Sequence, residues 1–147
     1  MYSCIVVGTD GSETAQRAVA AAGDLARLAG ASLEIVCAYE PVRTARLSGD
    51  MYAVPADLQW LVNPREEVDA TLAEAAERLA DTGLAVRTYA WEGDPADAIL
   101  DVAEEQGADL IVVGNRGMTG ARRFLLGSVP NKISHHAPCS VLIVRTV

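Results

Sequence analysis

Two short glycine motifs have the residue types and spacing to hold a small anion. The chain reads Gly114-Asn115-Arg116-Gly117, and Gly127-Ser128 follows after nine further residues. Glycine lets a ligand approach the backbone closely, and successive amides in a turn form a concavity that binds anions. Because Gly127-Ser128 precedes a helical pattern, the amides and dipole of that helix face the same ligand. The spacing predicts a phosphate cradle to which the Ser128 hydroxyl also donates.

Two better-known phosphate motifs do not fit this chain. A Walker loop needs a lysine just before the serine, and Leu126-Gly127-Ser128 has none. A dinucleotide fingerprint follows the first strand, but Gly8-Thr9-Asp10-Gly11 places a carboxylate where pyrophosphate would sit. Asp10 suits ribose hydroxyls, the exocyclic amine of adenine or a magnesium ion, or it is simply a turn carboxylate.

Charged and imidazole side chains near the glycine motifs leave alternatives open. Arg116, Arg122 and Arg123 lie in or beside the loop, where they either pair with phosphate oxygens or remain solvated. His135-His136 are neighbours on a predicted helix and point in different directions. They lack Cys, Asp or Glu at ligand spacing, so they do not predict a metal site.

Strand and helix patterns alternate along the chain. Apolar runs predict five strands, at residues 4–7, 33–39, 85–91, 110–113 and 141–144, of which 85–91 is less buried. Four helices lie between them, beginning after Ser12, at Asn63-Pro64, at Asp94-Pro95 and near Ser128; Gly30, Gly83, Gly107 and Pro138 end them in turn. Residues 40–63 lack a clean period and are interpreted as a long loop.

This alternation predicts one doubly wound α/β domain spanning residues 1–147. Ligands of such sheets bind at the carboxyl ends of strands, where the strand order reverses. The loops after strands one and four should therefore form the site, and they are the two loops richest in glycine and polar residues.

Composition restricts the partners and the compartment. Residues 1–114 hold all 20 acids, whereas residues 115–147 hold five basic residues and no acid. The acidic body disfavours binding of nucleic acid, while the carboxylate-free end suits a small anion.

No apolar run approaches the about 20 residues of a membrane helix, and the N-terminus does not resemble a signal peptide. Cys4, Cys37 and Cys139 are odd in number, which favours buried thiols in a cytoplasmic protein.

These residues resemble the ATP-binding members of the universal stress protein family, which carry Gly-x2-Gly-x9-Gly-Ser/Thr. The resemblance spans the chain, from Val7-Gly8-Thr9-Asp10-Gly11-Ser12 through Glu92-Gly93-Asp94-Pro95 to the last strand. It implies a Rossmann-like fold, in which helices cover both faces of a five-stranded parallel sheet of order 3-2-1-4-5.

The resemblance also implies roles for particular residues. Thr9, Asp10 and Ala38 would line the adenosine pocket. Ribose and phosphates would be surrounded by Val113, Gly114, Gly117, Gly127, Ser128 and Val129, and Asn115-Arg116 form the variable pair between the first two glycines. Many relatives carry proline or alanine in place of Gly8, so glycine is expected to loosen the wall beside the base.

The favoured function is a nucleotide-dependent regulatory module in stress responses that holds ATP, with magnesium at Asp10 as an option. ADP, AMP and cyclic AMP remain alternatives. A slow ATPase or an adenylyl-transferring enzyme is disfavoured because hydrolysis needs a positioned base and a stabilising cation, and the sequence shows neither.

The apolar strand 141–144 would be an unprotected sheet edge. The family pairs such strands between subunits, so the resemblance implies a homodimer.

Overall fold

A single parallel sheet organises the described part of the chain. The computed structural model describes residues 1–40, 64–115 and 126–146. Its five strands lie in the order β3-β2-β1-β4-β5, which confirms the expected topology. The strands are β1 (Cys4–Gly8), β2 (Ser32–Tyr39), β3 (Val86–Glu92), β4 (Leu110–Gly114) and β5 (Ser140–Val144). Since β1 pairs with both β2 and β4, the strand order reverses at β1.

Among the described residues, four α-helices connect these strands, and two of them have both of their expected caps. The four helices are α1 (Glu13–Ala29), α2 (Pro64–Arg78), α3 (Pro95–Gln106) and α4 (Ser128–His136). Gly30 and Gly107 end α1 and α3 in the left-handed conformation, at φ 69° and 64°. Asp94 caps α3 by accepting a hydrogen bond from the Asp97 amide. Thus local sequence signals set these helix ends.

The sheet separates two apolar cores, as a doubly wound fold requires. On one face, Ile5, Val7 and Leu33 pack with residues of α1 and α2. On the other, Val6, Ile111 and Val113 pack with α3 and α4. The central strands β1 and β4 are buried on both faces apart from their terminal glycines, whereas β3 is largely exposed or half-buried, as its alternating pattern predicted.

Some sequence predictions fall on other parts of the chain or are refined. The predicted loop 40–63 lies outside the described residues except for Glu40, and so does the predicted cap Asn63. The second helix ends at Arg78, and a short 3-10 turn, Ala80–Thr82, precedes Gly83. Among the residues described, no helix is both long enough and apolar enough to cross a membrane.

One carboxylate is fully buried in the sheet. Glu34 in β2 is 0% exposed and accepts hydrogen bonds from Tyr89 and Arg87 of the edge strand β3. Burial, followed by the hydrogen bond to Glu34, raises the pKa of Tyr89 to about 12. Because these groups satisfy one another, we assign them a structural role.

Candidate functional site

A cavity of about 160 Å³ opens at the carboxyl ends of β1, β2 and β4. This is the edge at which the strand order reverses, where ligands of doubly wound sheets bind. The cavity is lined from three directions: the end of β1 and the start of α1, the end of β2, and the end of β4 with the starts of α3 and α4. The lining residues are Gly8, Thr9, Asp10, Ser12, Thr14, Ala15, Ala18, Val36, Ala38, Pro95, Ile99, Val113, Gly114, Val129 and Pro130.

The residues predicted from sequence converge on this cavity. Seven of them line it: Gly8, Thr9, Asp10, Ala38, Val113, Gly114 and Val129. Asn115 follows the lining residue Gly114, Ser128 precedes the lining residue Val129, and Gly127 comes one residue before Ser128. Arg116 and Gly117 lie outside the described residues, as do Arg122 and Arg123. The described ends of the two predicted loops therefore meet at one place, while the roles of their side chains toward a ligand stay predictions.

The loop after β1 satisfies its own amides. Thr9 Oγ1 accepts from the Gly11 amide at 3.1 Å, and Asp10 Oδ1 accepts from the Ser12 amide at 2.8 Å. Ser12 in turn caps α1 by accepting from the Ala15 amide. Asp10 is therefore a turn carboxylate, which is one of the alternatives that the sequence left open. It is also exposed and lines the cavity. This loop presents oxygen acceptors to a ligand and has few unused amide donors.

The start of α4 has the opposite character. Gly127 is its N-cap residue, and no side chain among the described residues caps it. Pro130 in the first turn has no amide hydrogen, so the donors nearest the cavity are the amides of Ser128 and Val129. These amides and the positive end of the helix dipole favour an anion.

Gly127 itself does not require glycine for its backbone conformation. Its φ of −62° and ψ of 165° are extended values that any residue adopts. A role for glycine at this position would therefore come from its missing side chain, which would let a ligand approach the helix start closely.

Gly8 does not loosen the wall of the cavity. A Cβ at this position would lie 2.4 Å from Ile99 Cδ1 and 3.0 Å from Ile99 Cγ1, so the isoleucine of α3 fills that space. Ile99 is 4% exposed and lines the cavity. Gly8 and Ile99 therefore form the wall together. The expectation of a looser wall considered Gly8 alone and did not include the α3 side chain that packs against it.

Asn115 is held by several hydrogen bonds. Its amide donates to the Val144 carbonyl at 2.8 Å, and its carbonyl accepts from the Gly127 amide at 3.0 Å. Its side-chain Oδ1 accepts from both the amide and the hydroxyl of Thr146, at 2.8 Å and 3.2 Å. The residue joins the end of β4, the start of α4 and the segment after β5.

Cys37, a described titratable residue that interacts electrostatically with Asp10 of the cavity, is not an activated nucleophile. Burial, reinforced by the negative charge of Asp10, raises the pKa of Cys37 to about 11, so this thiol is protonated at neutral pH. All three cysteines are free thiols. Among the described residues, no group of three His, Cys, Asp or Glu side chains has the geometry to hold a metal ion. A cation here would need ligand phosphates in addition to Asp10.

Sequence reasoning missed part of the apolar lining. Ala15, Ala18 and Ile99 follow helical spacing, which assigns them to the core without indicating which end of the helix borders a cavity. Ser12 and Pro95 were recognised only as the start of helices, through their capping and first-turn roles. Since both helices begin at the carboxyl edge of the sheet, such start signals were the available indication that these residues border the site.

Comparison with known proteins agrees with this architecture. A family model described as the universal stress protein family matches residues 1–145. The chain belongs to the universal stress protein family.

The relatives match along nearly the whole chain. Universal stress protein YxiE of Bacillus subtilis is 37% identical over 148 residues, covering 99% of this chain and 100% of the relative. Universal stress protein Rv1636 of Mycobacterium tuberculosis is 38% identical over 146 residues, covering 99% and 97%. A crystal structure of a universal stress protein in complex with cAMP superposes with a TM-score of 0.71 at 35% identity, covering 99% of this chain and 98% of that one.

Proposed function

We propose that this protein binds an adenine nucleotide, with ATP as the principal ligand, and acts as a nucleotide-dependent module in stress responses. The observation that carries the proposal is the meeting of the two loops around one cavity at the carboxyl edge of the sheet. The uncapped start of α4 supplies amide donors on one side, and Thr9 and Asp10 supply oxygen acceptors on the other. The family relative solved with cAMP supports an adenine ligand.

The nucleoside would occupy the end of the cavity formed by β1, β2 and α3. Its wall is apolar at Ala38, Val36 and Ile99, which suits the faces of a planar base. The Asp10 carboxylate has a second oxygen beyond the one that accepts from Ser12, and it would accept from ribose hydroxyls or from the adenine amine.

The phosphates would lie between Gly114 and the start of α4. Amides of Ser128 and Val129, the Ser128 hydroxyl and the helix dipole all favour negative charge there. Gly117 and Arg116 would contribute from the same glycine motif. A magnesium ion held by the phosphates and by Asp10 would offset the repulsion between this carboxylate and the ligand.

The nucleotide can be identified directly. The ligand released from the purified, denatured protein is analysed by mass spectrometry, and calorimetry then compares ATP, ADP, AMP, cyclic AMP and GTP with and without magnesium. We expect retained adenine nucleotide, tightest binding of ATP, and no binding of GTP. Equal binding of GTP, or no binding of any adenine nucleotide by ligand-free protein, would contradict the proposal.

Cyclic AMP is the second candidate ligand, because the relative solved with it is similar over nearly the whole chain. A cyclic monophosphate needs a single anion position, which the start of α4 alone would provide. If cyclic AMP binds more tightly than ATP in the same titrations, the protein is a cyclic nucleotide module. Turnover of ATP above buffer background, lost in Ser128→Ala, would instead identify the slow enzyme.

We further propose that two copies associate through β5 in the cytoplasm. This edge strand has no charged side chain, and Leu142 and Ile143 are 41% and 38% exposed. The opposite edge, β3, carries Arg87 and Glu92. Analytical ultracentrifugation should give a dimer for the parent protein and a monomer for Leu142→Lys. A parent protein that is monomeric at micromolar concentration would overturn this part of the proposal.

A further inference from the structure

Thr146 lies beyond the last strand, and yet it is one of the most buried polar residues of the described chain. It is 2% exposed. Its amide and hydroxyl both donate to Asn115 Oδ1, and its carbonyl accepts from Arg17 Nη1 of α1 at 3.1 Å. Every polar group of this residue is thus engaged, and the segment after β5 is fixed to both α1 and the end of β4.

Asn115 transmits this anchoring to the anion-binding end of the site. Its Oδ1 has two acceptor positions, and Thr146 occupies both. Its backbone carbonyl accepts from the amide of Gly127, the N-cap residue of α4. The distance between Gly114 and the start of α4 therefore depends on where Asn115 is held.

We propose that Asn115 and Thr146 are positioning residues that fix the start of α4 relative to Gly114, so that the C-terminal segment of the chain controls affinity for the phosphates. This inference rests on the proposed nucleotide function. It gives Asn115 Oδ1 a role within the protein, whereas a direct contact with ligand would have to come from Asn115 Nδ2. Amide donors serve an anion only when they point at its oxygens, so a displaced helix start weakens phosphate binding and leaves the nucleoside end intact.

The test compares Asn115→Ala, Thr146→Val, the double variant and Thr146→Ser, with Ser134→Ala of α4 as the control. Thr146→Val removes a hydroxyl but does not touch Asn115 Nδ2, and Thr146→Ser keeps the hydroxyl. We expect the dissociation constant for ATP to rise about tenfold in Asn115→Ala and about threefold in Thr146→Val. The double variant should have the same dissociation constant for ATP as Asn115→Ala, because Asn115→Ala already removes the acceptor of the Thr146 hydroxyl. The affinity for adenosine should change less than about twofold in every variant. The affinity for ATP should change less than about twofold in Thr146→Ser and in Ser134→Ala.

Three results would overturn the inference. Loss of ATP affinity in Asn115→Ala with no change in Thr146→Val would indicate a direct contact through Nδ2. Equal weakening of ATP and adenosine would indicate general destabilisation. The third readout needs no nucleotide: the Gly127 amide should exchange hydrogen faster in ligand-free Asn115→Ala and Thr146→Val than in the parent. Unchanged exchange would contradict the positioning role, even if the parent protein binds no adenine nucleotide and the proposed function fails.

Discussion

The two loops that border the cavity differ in how their backbone amide groups are hydrogen-bonded. After β1, side chains satisfy the amides: Thr9, Asp10 and Ser12 accept from Gly11, Ser12 and Ala15. At the start of α4, Gly127 has no side chain to offer, and its amide donates to the Asn115 carbonyl. One loop therefore presents acceptors to the cavity, and the other presents donors.

This difference shows how one edge of a sheet can offer two kinds of hydrogen-bonding group to the two parts of a nucleotide. Acceptors suit hydroxyl and amine hydrogens of a nucleoside, and donors suit phosphate oxygens. Changes in the loop after β1 should then weaken adenosine and ATP alike. Changes at Gly114 or at the start of α4 should weaken binding of ATP and leave binding of adenosine unchanged.

The largest effect is expected for Gly114→Asp. A carboxylate beside the anion position repels phosphates within a few ångströms, so affinity for ATP should fall by at least about 100-fold, measured by calorimetry. Adenosine should bind within about threefold of the parent value. Ser134→Asp, which adds the same charge to an exposed position of α4, is the control. If both substitutions weaken ATP equally, the effect is one of overall charge rather than of this site.

Asp10→Asn tests the other loop. The amide oxygen of Asn keeps the turn by accepting from the Ser12 amide, while the charge is lost. We expect affinities for adenosine and for ATP to fall by about the same factor, roughly tenfold, because a charged acceptor is replaced by a neutral one. Titrations with and without magnesium separate a contact of Asp10 with the nucleoside from binding of the metal by Asp10. A loss seen only for ATP with magnesium, with adenosine affinity unchanged, would restrict Asp10 to the metal and contradict its proposed contact with the nucleoside.

Ser128→Ala should have a smaller effect. It removes one hydroxyl donor and leaves the amides and dipole of α4 in place, so affinity for ATP should fall about three- to tenfold. Adenosine binding should not change, as competition against a fluorescent ATP analogue would show. An equal loss for adenosine would place Ser128 at the nucleoside end instead.

Gly8→Ala should act mainly on stability. The added methyl group would meet Ile99 Cδ1 at 2.4 Å, which forces the isoleucine to move within a packed core. Overpacking of this kind should lower the free energy of unfolding by about 1 kcal/mol, measured by denaturant titration. Shortening the neighbour in Gly8→Ala/Ile99→Val should recover part of that loss. No recovery would mean that Ile99 is not the obstacle.

Much of the fold could be predicted because its signals are local. Gly30 and Gly107 end helices in the left-handed conformation that glycine favours, and Asp94-Pro95 starts one by capping and a preset φ. The strand order came from resemblance to a family, since apolar runs alone do not reveal which strands are neighbours. The prediction that the two loops meet followed from the general rule for doubly wound sheets, and the shared cavity agrees with it.

The chain by itself determined where the glycines, the serine and the carboxylate stand, and hence that donors and acceptors would face each other. Only the tertiary structure decided what holds them there. Ile99 occupies the space left by Gly8, and Thr146 fixes Asn115 from 31 residues away in sequence. The physical reason is that helix caps and turns depend on neighbours within a few residues, whereas these contacts join segments that only the packed sheet brings together.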